Sequence, residues 1–153
     1  VQSLADAPDD DLRAMAHYLA SLQQPTPQAP TATQAVARAA QLAPAPSAAS
    51  RQFEAACGAC HHDGDGPMTL GPNVPLALNS NLHSDRPDNL IRVILDGVRE
   101  PAHPQLGQMQ GFRAVYSDAQ IAELVAWMRQ RFAPGRPAWA DLPATVVRLR
   151  AGG

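Results

Sequence analysis

Five consecutive residues, Cys57-Gly-Ala-Cys-His61, contain both cysteines of the 153-residue chain and one of its five histidines. The pattern C-x-x-C-H is typical of covalent c-type haem attachment. Residues i and i+3 of a helical turn share a face, so the thiols of Cys57 and Cys60 can both reach the vinyl groups along one porphyrin edge as thioethers. His61 can then give a ring nitrogen to the iron as the proximal ligand. The motif predicts a chain that folds around one covalently bound haem c.

Three other chemistries compete for the same motif. A redox-active dithiol of the thioredoxin type lies at the start of a helix that follows a strand, and no strand pattern precedes Cys57. A zinc site needs four ligands, and the adjacent pair His61-His62 does not match the usual spacing of the remaining ligands. A structural disulfide across two intervening residues leaves His61 without a role. Haem attachment therefore remains the favoured interpretation.

The composition fits a small protein with a bulky cofactor. Aromatic residues make up only 5% of the chain and there are 15 prolines, so a buried porphyrin would supply apolar volume that the side chains lack. The length fits one ordinary domain, or a smaller domain with appendages, and excludes most large catalytic architectures. All 12 basic residues are arginines scattered from Arg13 to Arg150 and the net charge is -2, which argues against nucleic-acid binding.

Apolar periodicity and capping signals predict a mainly α protein, and no segment shows convincing strand alternation. The predicted helices are Pro8–Leu22, Ala48 to about Cys57, a segment that starts near Pro87 and is capped by Gly97, and a segment that follows the capping box Ser117-Asp-Ala-Gln120 and ends at Pro134-Gly135. Weaker patterns predict short helices at Thr33–Leu42 and from about Pro143. A loop is expected from His62 to about His83.

An electron-carrying haem needs a second axial ligand, and a soft thioether would favour Fe(II) and raise the reduction potential. Met109 lies in the irregular segment Gly107-Gln-Met-Gln-Gly111, where a side chain can be directed at iron, and it is the predicted distal ligand. The main competitor is His103 in the loop Pro101-Ala-His-Pro104. The other candidates fit less well: Met15 lies on the separated N-terminal helix, Met68 follows His61 too closely, Met128 suits the core, and His17, His62 and His83 suit the surface or the periphery of the site.

Together these residues identify a resemblance to the class I cytochrome c domain. The segments Asp88–Val98, Met109-Gln-Gly-Phe112 and Tyr116–Arg129 are similar to the third, C-terminal haem domain of multi-haem cytochrome subunits. Those subunits belong to bacterial membrane-bound dehydrogenases, including alcohol dehydrogenases and molybdenum hydroxylases of the nicotinate dehydrogenase kind. The similarity covers about Ala48 to Arg150. It implies a class I cytochrome c fold with an extra N-terminal helix and a C-terminal extension.

The resemblance also implies a domain organisation. Residues 1–22 would be the last helix of a preceding cytochrome domain, 23–46 a Pro/Ala-rich linker, 47–135 the haem domain and 136–153 a C-terminal extension. The acidic start of the chain lacks the basic region of a signal peptide and is expected to be a processed end or a cut inside a longer protein. No apolar run in the sequence is long enough to span a bilayer.

Two positions depart from the family pattern. The axial methionine of the family is commonly followed by proline, whereas Gln110 follows Met109 here, so a freer loop is expected. The family's Pro-Pro-Leu-x-Gly, whose carbonyl holds the proximal imidazole, is altered to Val74-Pro75-Leu76-Ala77-Leu78, so that either Val74 or Pro72 would supply the carbonyl. The family also implies that Phe53 and Trp127 meet where the first and last helices of the domain cross.

The resemblance implies one-electron transfer by a His/Met-ligated haem, with no catalysis in this chain itself. The expected partners are catalytic dehydrogenase subunits, neighbouring haem domains and a respiratory-chain acceptor. The expected location is the periplasm, with any membrane association through parts outside this chain. The alternative is a haem enzyme or gas sensor of the peroxidase-like kind with an open distal position. A haemless thiol or zinc module is a third interpretation, which the absence of a Soret band would indicate.

Overall fold

The computed structural model describes residues 7–22, 30–61, 75–99 and 107–152. Within these ranges the helices are α1 (Asp9–Leu22), α2 (Ala32–Gln41), α3 (Ala48–Ala56), α4 (Ser80–His83), α5 (Asp88–Asp96), α6 (Asp118–Phe132) and α7 (Leu142–Ala151), with a 3₁₀ turn at Leu76–Leu78. Extended backbone pairs there only in one isolated antiparallel bridge, Val98 with Met109. The predicted mainly α class is confirmed.

The chain divides into two compact units, residues 1–31 and 32–153. The first contains α1, whose first turn carries Asp9, Asp10 and Asp11, where carboxylates interact favourably with the helix dipole. Its bounds match the predicted N-terminal helix. In the described part of the chain, no helix combines the length and apolar character that a membrane span requires.

Local signals in the sequence set the helix ends in the second unit. Reciprocal hydrogen bonds of a capping box join Ser47 with Ser50 at the start of α3, and Ser117 with Gln120 at the start of α6. Gly97 ends α5 at φ 74°, a conformation that favours glycine. These three helices were predicted to within a few residues. The short helix predicted near Pro143 is α7, which has a proline in its first turn.

The predicted loop up to His83 is wrong in its second half. Residues 75–83 form the 3₁₀ turn and α4, while residues 62–74 lie outside the described part. The Asn79 side chain accepts a hydrogen bond from the Asn81 N–H at 3.0 Å and so caps α4. Leu82 is completely buried. Such short elements contain too few residues to show apolar periodicity, and tertiary burial stabilises them instead.

The short helix predicted at Thr33–Leu42 is α2, and it lies among the residues assigned to the linker. It packs against α6 and the 3₁₀ turn. Ala39 is buried, and its carbonyl accepts a hydrogen bond from Arg131 Nη1 at 3.0 Å. The domain boundaries proposed from the sequence stay predictions.

Aromatic contacts join α3 to α6 at the centre of the core. The Phe53 ring lies 5.1 Å from the Trp127 ring and 5.4 Å from the Phe132 ring, measured between centroids. Tilted pairs at these distances add packing energy beyond the area they bury. The predicted meeting of Phe53 with Trp127 is confirmed. The ring of Phe53, four residues before Cys57, fixes the last turn of α3 against the core.

Candidate functional site

The cysteine motif occupies a tight turn at the end of α3. The N–H groups of Cys57 and Gly58 both donate to the Phe53 carbonyl, at 2.7 and 3.0 Å. The Cys57 carbonyl accepts in turn from the N–H of Cys60 at 3.1 Å and of His61 at 2.8 Å. These bonds continue the helix by one turn and bring the two cysteines and His61 together.

Gly58 is required in this turn because a Cβ there would lie 2.8 Å from the Glu54 carbonyl oxygen, a backbone atom that cannot move aside. Cys57 and Cys60 are both half-buried free thiols. The turn thus presents two unpaired thiols three residues apart, followed directly by an imidazole. That is the arrangement expected for two thioether bonds to one porphyrin edge.

The environment of Cys57 is apolar. Burial, reinforced by the neighbouring Cys60 and Glu54, raises the pKa of the Cys57 thiol to about 11. Reactive dithiols of the C-x-x-C type have the opposite property, a lowered pKa that yields the nucleophilic thiolate. Among the described residues, no group of three or more His, Cys, Asp or Glu side chains could hold a metal ion by itself. The raised pKa of Cys57 weighs against the dithiol interpretation.

Met109 lies on a segment that crosses the end of α5 at close range. Its N–H donates to the Val98 carbonyl at 3.0 Å, and its carbonyl accepts from the Val98 N–H at 2.8 Å. A Cβ at Gly97 would lie 2.3 Å from the Met109 carbonyl oxygen, and one at Gly111 would lie 2.6 Å from that of Leu95. Only glycines at these two positions permit the crossing.

The backbone beyond Met109 is also fixed. The N–H groups of Phe112 and Arg113 donate to the carbonyls of Ile94 and Leu95, at 2.9 and 3.0 Å. These bonds satisfy carbonyls at the end of α5 that have no partner within the helix. Backbone hydrogen bonds therefore hold the chain on both sides of Gln110, at Met109 and at Phe112, and the freer loop expected from Gln110 stays a prediction.

The fold brings Cys57 and Met109 to the same core. Both side chains are half-buried and pack against the same buried cluster, together with Ala56 and Tyr116. Burial and the charge of Cys57 raise the pKa of Tyr116. The Tyr116 ring stacks on Phe112 at 5.4 Å. Sequence reasoning missed Tyr116 as part of the site, although its spacing from Phe112 was a usable signal.

The surroundings of the other candidates are known only where the structure describes them. Met128 is buried in α6 as a core residue, in agreement with the sequence-based expectation. His17 is exposed on α1. The ring Nε2 of His83 forms a hydrogen bond with the Ala77 carbonyl at 2.7 Å. His62, Met68, Pro72, Val74 and His103 lie outside the described residues.

The residues present fit a covalent haem. They supply two free thiols and an imidazole on one turn, and a thioether on a fixed segment against the same apolar cluster. Cys57 and Cys60 could form the thioether bonds, and His61 and Met109 could provide the axial ligands.

Comparison with known proteins agrees with this chemistry. Residues 44–128 match the family model described as cytochrome c oxidase, cbb3-type, subunit III. The chain is 45% identical over 152 residues to one of the subunits of nicotinate dehydrogenase from Pseudomonas putida, covering 99% of the chain and 12% of that protein. It is 34% identical over 152 residues to the cytochrome c subunit of a quinone alcohol dehydrogenase from Gluconacetobacter polyoxogenes, covering 93% of the chain and 31% of that protein.

The corresponding subunit from Gluconobacter oxydans is 31% identical over 144 residues, covering 88% of the chain and 30% of that protein. The chain thus spans less than a third of the length of each of these relatives.

Proposed function

Because the chain belongs to the family of cbb3-type cytochrome c domains, an electron-transfer family, we propose that it transfers single electrons through one covalent haem c. In this proposal Cys57 and Cys60 form the thioether bonds, His61 is the proximal ligand and Met109 the distal ligand. Haem c supplies a reversible Fe(II)/Fe(III) couple when bound.

The observation that carries the proposal is the convergence of two distant segments. Cys57 of the turn and Met109 both pack against one buried apolar cluster. The hydrogen bonds of the turn fix the backbone of His61, and the bridge to Val98 fixes the backbone of Met109. Ligands held in this way stay in place in both oxidation states, which keeps the rearrangement on electron transfer small.

The fixed backbone of Met109 also favours an electron carrier over the alternative of a haem enzyme or gas sensor. An open distal position requires that no protein ligand be held near the iron. Both backbone polar groups of Met109 are bonded to Val98, and Phe112 and Arg113 are bonded to α5. A segment with this many backbone bonds supports a permanent sixth ligand.

The proposed setting is a periplasmic dehydrogenase complex, in which this chain is the terminal haem module of a cytochrome subunit. The relatives named above are subunits of nicotinate and alcohol dehydrogenases, and they are much longer than this chain. Catalysis would belong to the partner subunits. Electrons would enter through neighbouring haems and leave toward a respiratory-chain acceptor.

The charge distribution supports a docked module. The chain has no lysine, and its arginines are spread along the sequence with balancing carboxylates. A carrier that finds an acidic partner by electrostatic steering needs a concentrated basic surface. A module held beside its neighbour in one complex has a high effective concentration instead.

The test is to reduce the intact dehydrogenase complex with its substrate and to follow reduction of this haem at several protein and salt concentrations. We expect a rate that does not depend on protein concentration and changes little with ionic strength. A rate that rises linearly with cytochrome concentration and falls steeply with salt would indicate a diffusing carrier. Failure of the haem to become reduced would contradict electron transfer itself.

A further inference from the structure

The C-terminal segment lies outside the matched residues 44–128, yet it is integrated into the haem domain. Leu142, Val146 and Leu149 of α7 are buried, and the helix packs against both α5 and α6. Its last turn reaches the segment that follows Met109, and Arg150 in that turn makes the contacts.

Arg150 contacts three partners with one guanidinium. Nη2 donates to the Tyr116 carbonyl at 2.7 Å, and Nη1 donates to the Arg113 carbonyl. Nε forms an ion pair with Asp118, the first residue of α6. The planar fork of arginine suits several simultaneous acceptors, whereas the ammonium of lysine is a point charge.

Arg113 also donates hydrogen bonds, one of them to the backbone of Arg150. Its Nη1 donates to the Arg150 carbonyl at 2.6 Å, and its Nε donates to Asp96 Oδ1 at 2.8 Å. Each arginine therefore binds the backbone carbonyl of the other and pairs with a carboxylate. Asp96 is the last residue of α5, so the network joins the end of α5, the start of α6 and the end of α7 around residues 113–116.

The network and the Val98 bridge hold the two ends of one short segment. Met109 lies at the end bonded to Val98, and Tyr116 lies at the end bonded to Arg150. Charge-assisted hydrogen bonds are stronger than neutral ones, and the Arg150 side chain is only 24% exposed. The backbone of the segment that follows Met109 is therefore held in part by contacts that α7 makes.

We propose that Arg150 is a positioning residue for Met109: by binding the carbonyls of Arg113 and Tyr116, it holds the segment that carries the distal ligand and so sets the strength of the bond between that sulfur and iron. The inference rests on the proposed function. It assigns to the C-terminal segment a part in tuning the haem ligation rather than only in packing.

The experiment measures cyanide binding to the ferric, haem-loaded protein, because cyanide must displace the Met109 sulfur to bind. The weak red charge-transfer band of methionine-ligated ferric haem is recorded as well. In Arg150→Met we expect cyanide affinity to rise about tenfold, less than a full charge-assisted hydrogen bond would give because the site is partly exposed. We also expect the band to be lost at a lower temperature, and Arg150→Lys to give an intermediate result.

Two control variants separate positioning from general stability. Arg148→Met removes an exposed arginine of the same helix whose partner is Asp88. Leu142→Ala weakens the packing of α7 at its other end while leaving Arg150 in place. Both should keep the cyanide affinity of the unmodified protein, although Leu142→Ala should unfold at a lower temperature.

The outcomes distinguish this inference from the proposed function. If the unmodified protein lacks the charge-transfer band, Met109 is not the ligand and both fail. If the band is present but Arg150→Met binds cyanide like Arg148→Met, or no more tightly than Leu142→Ala, only the positioning role is wrong. If Arg150→Met fails to fold, the same comparison of cyanide affinities is made with Arg113→Met, which leaves α7 unchanged.

Discussion

At the scale of single residues, we expect different roles for two methionines: Met109 as an iron ligand and Met128 as a packing residue of the core. Met109 is half-buried on a segment fixed to Val98, whereas Met128 is buried within α6. Met109→Ala should open the sixth position, make the ferric iron high-spin or water-ligated and lower the reduction potential. Met128→Ala should remain low-spin but lose about 2–5 kcal/mol of stability. Absorption spectra and denaturant unfolding of both variants check this, and an exchange of the two outcomes would contradict the assignment.

Arg129 is a buried charge whose partners are backbone carbonyls. Its guanidinium donates to the carbonyls of Leu82, Ser84 and Pro137, and it lies 4.1 Å from the centroid of the Trp139 ring. Burial lowers the pKa of Arg129, but an arginine stays charged in a protein.

Arg129→Met would remove the donor to the buried Leu82 carbonyl and to the Pro137 carbonyl, together with the cation over Trp139, whereas the Ser84 carbonyl would keep Trp139 Nε1 as a donor at 3.0 Å. We expect a loss of about 3 kcal/mol in the free energy of unfolding. Arg92→Met, at an exposed position of α5, is the matched control and should change stability by less than about 0.5 kcal/mol. Equal stability of the two variants in urea would show that the carbonyl contacts contribute nothing.

Asp88 gives stability a defined pH dependence. Hydrogen bonds from Arg148 and Arg86 hold the pKa of Asp88 below its ordinary 3.8. A carboxyl whose pKa is lowered by folding stabilises the protein above the unfolded-state pKa, and this contribution is lost as the pH falls through the folded-state pKa.

Asp88→Asn should therefore destabilise the protein at neutral pH, by less than about 1 kcal/mol because the pair is near the surface. The difference from the unmodified protein should shrink as the pH falls below 3.8 and through the lower folded-state pKa of Asp88. Glu123→Gln, on the exposed face of α6, is the control. Urea unfolding across this range measures the effect, and a difference that grows on acidification would have the wrong sign.

At the scale of the helices, local chemistry explains why some were predictable. The boxes at Ser47 and Ser117, and Gly97 after α5, act within one turn of the helix that they start or end. By contrast, α4 depends on the burial of Leu82, whose carbonyl accepts a hydrogen bond from Arg129, a residue far away in the sequence. No local pattern in residues 75–83 could have shown it.

Two nearby residues of α7, one buried and one exposed, allow a test of whether this helix is part of the core. Leu149 is 2% exposed against α5 and α6, whereas Val147 is 53% exposed. Leu149→Ala should cost about 2–5 kcal/mol of stability through lost burial and a residual cavity. Val147→Ala should stay within about 0.5 kcal/mol. Thermal or urea unfolding of the two variants gives the answer, and a small effect of Leu149→Ala would mean that α7 is not part of the core.

At the scale of the whole molecule, a sequence indicates a local motif more directly than the contacts that surround it. Cys57, Cys60 and His61 form a local motif, so their proximity follows from chain geometry alone. The packing of Cys57 and Tyr116 against one core and the contacts of Arg150 with Arg113 depend on how α3, α6 and α7 pack. Such contacts link residues far apart in the sequence, and one sequence without its fold does not contain them.

The central claim is that one haem is bound covalently at Cys57 and Cys60, and intact-mass measurement of the denatured protein tests it most directly. The protein must be produced in cells that contain the haem-ligation machinery. We expect the mass of the polypeptide plus one haem, with the haem on the proteolytic peptide that contains both cysteines. The mass of the bare polypeptide from such cells would contradict the account.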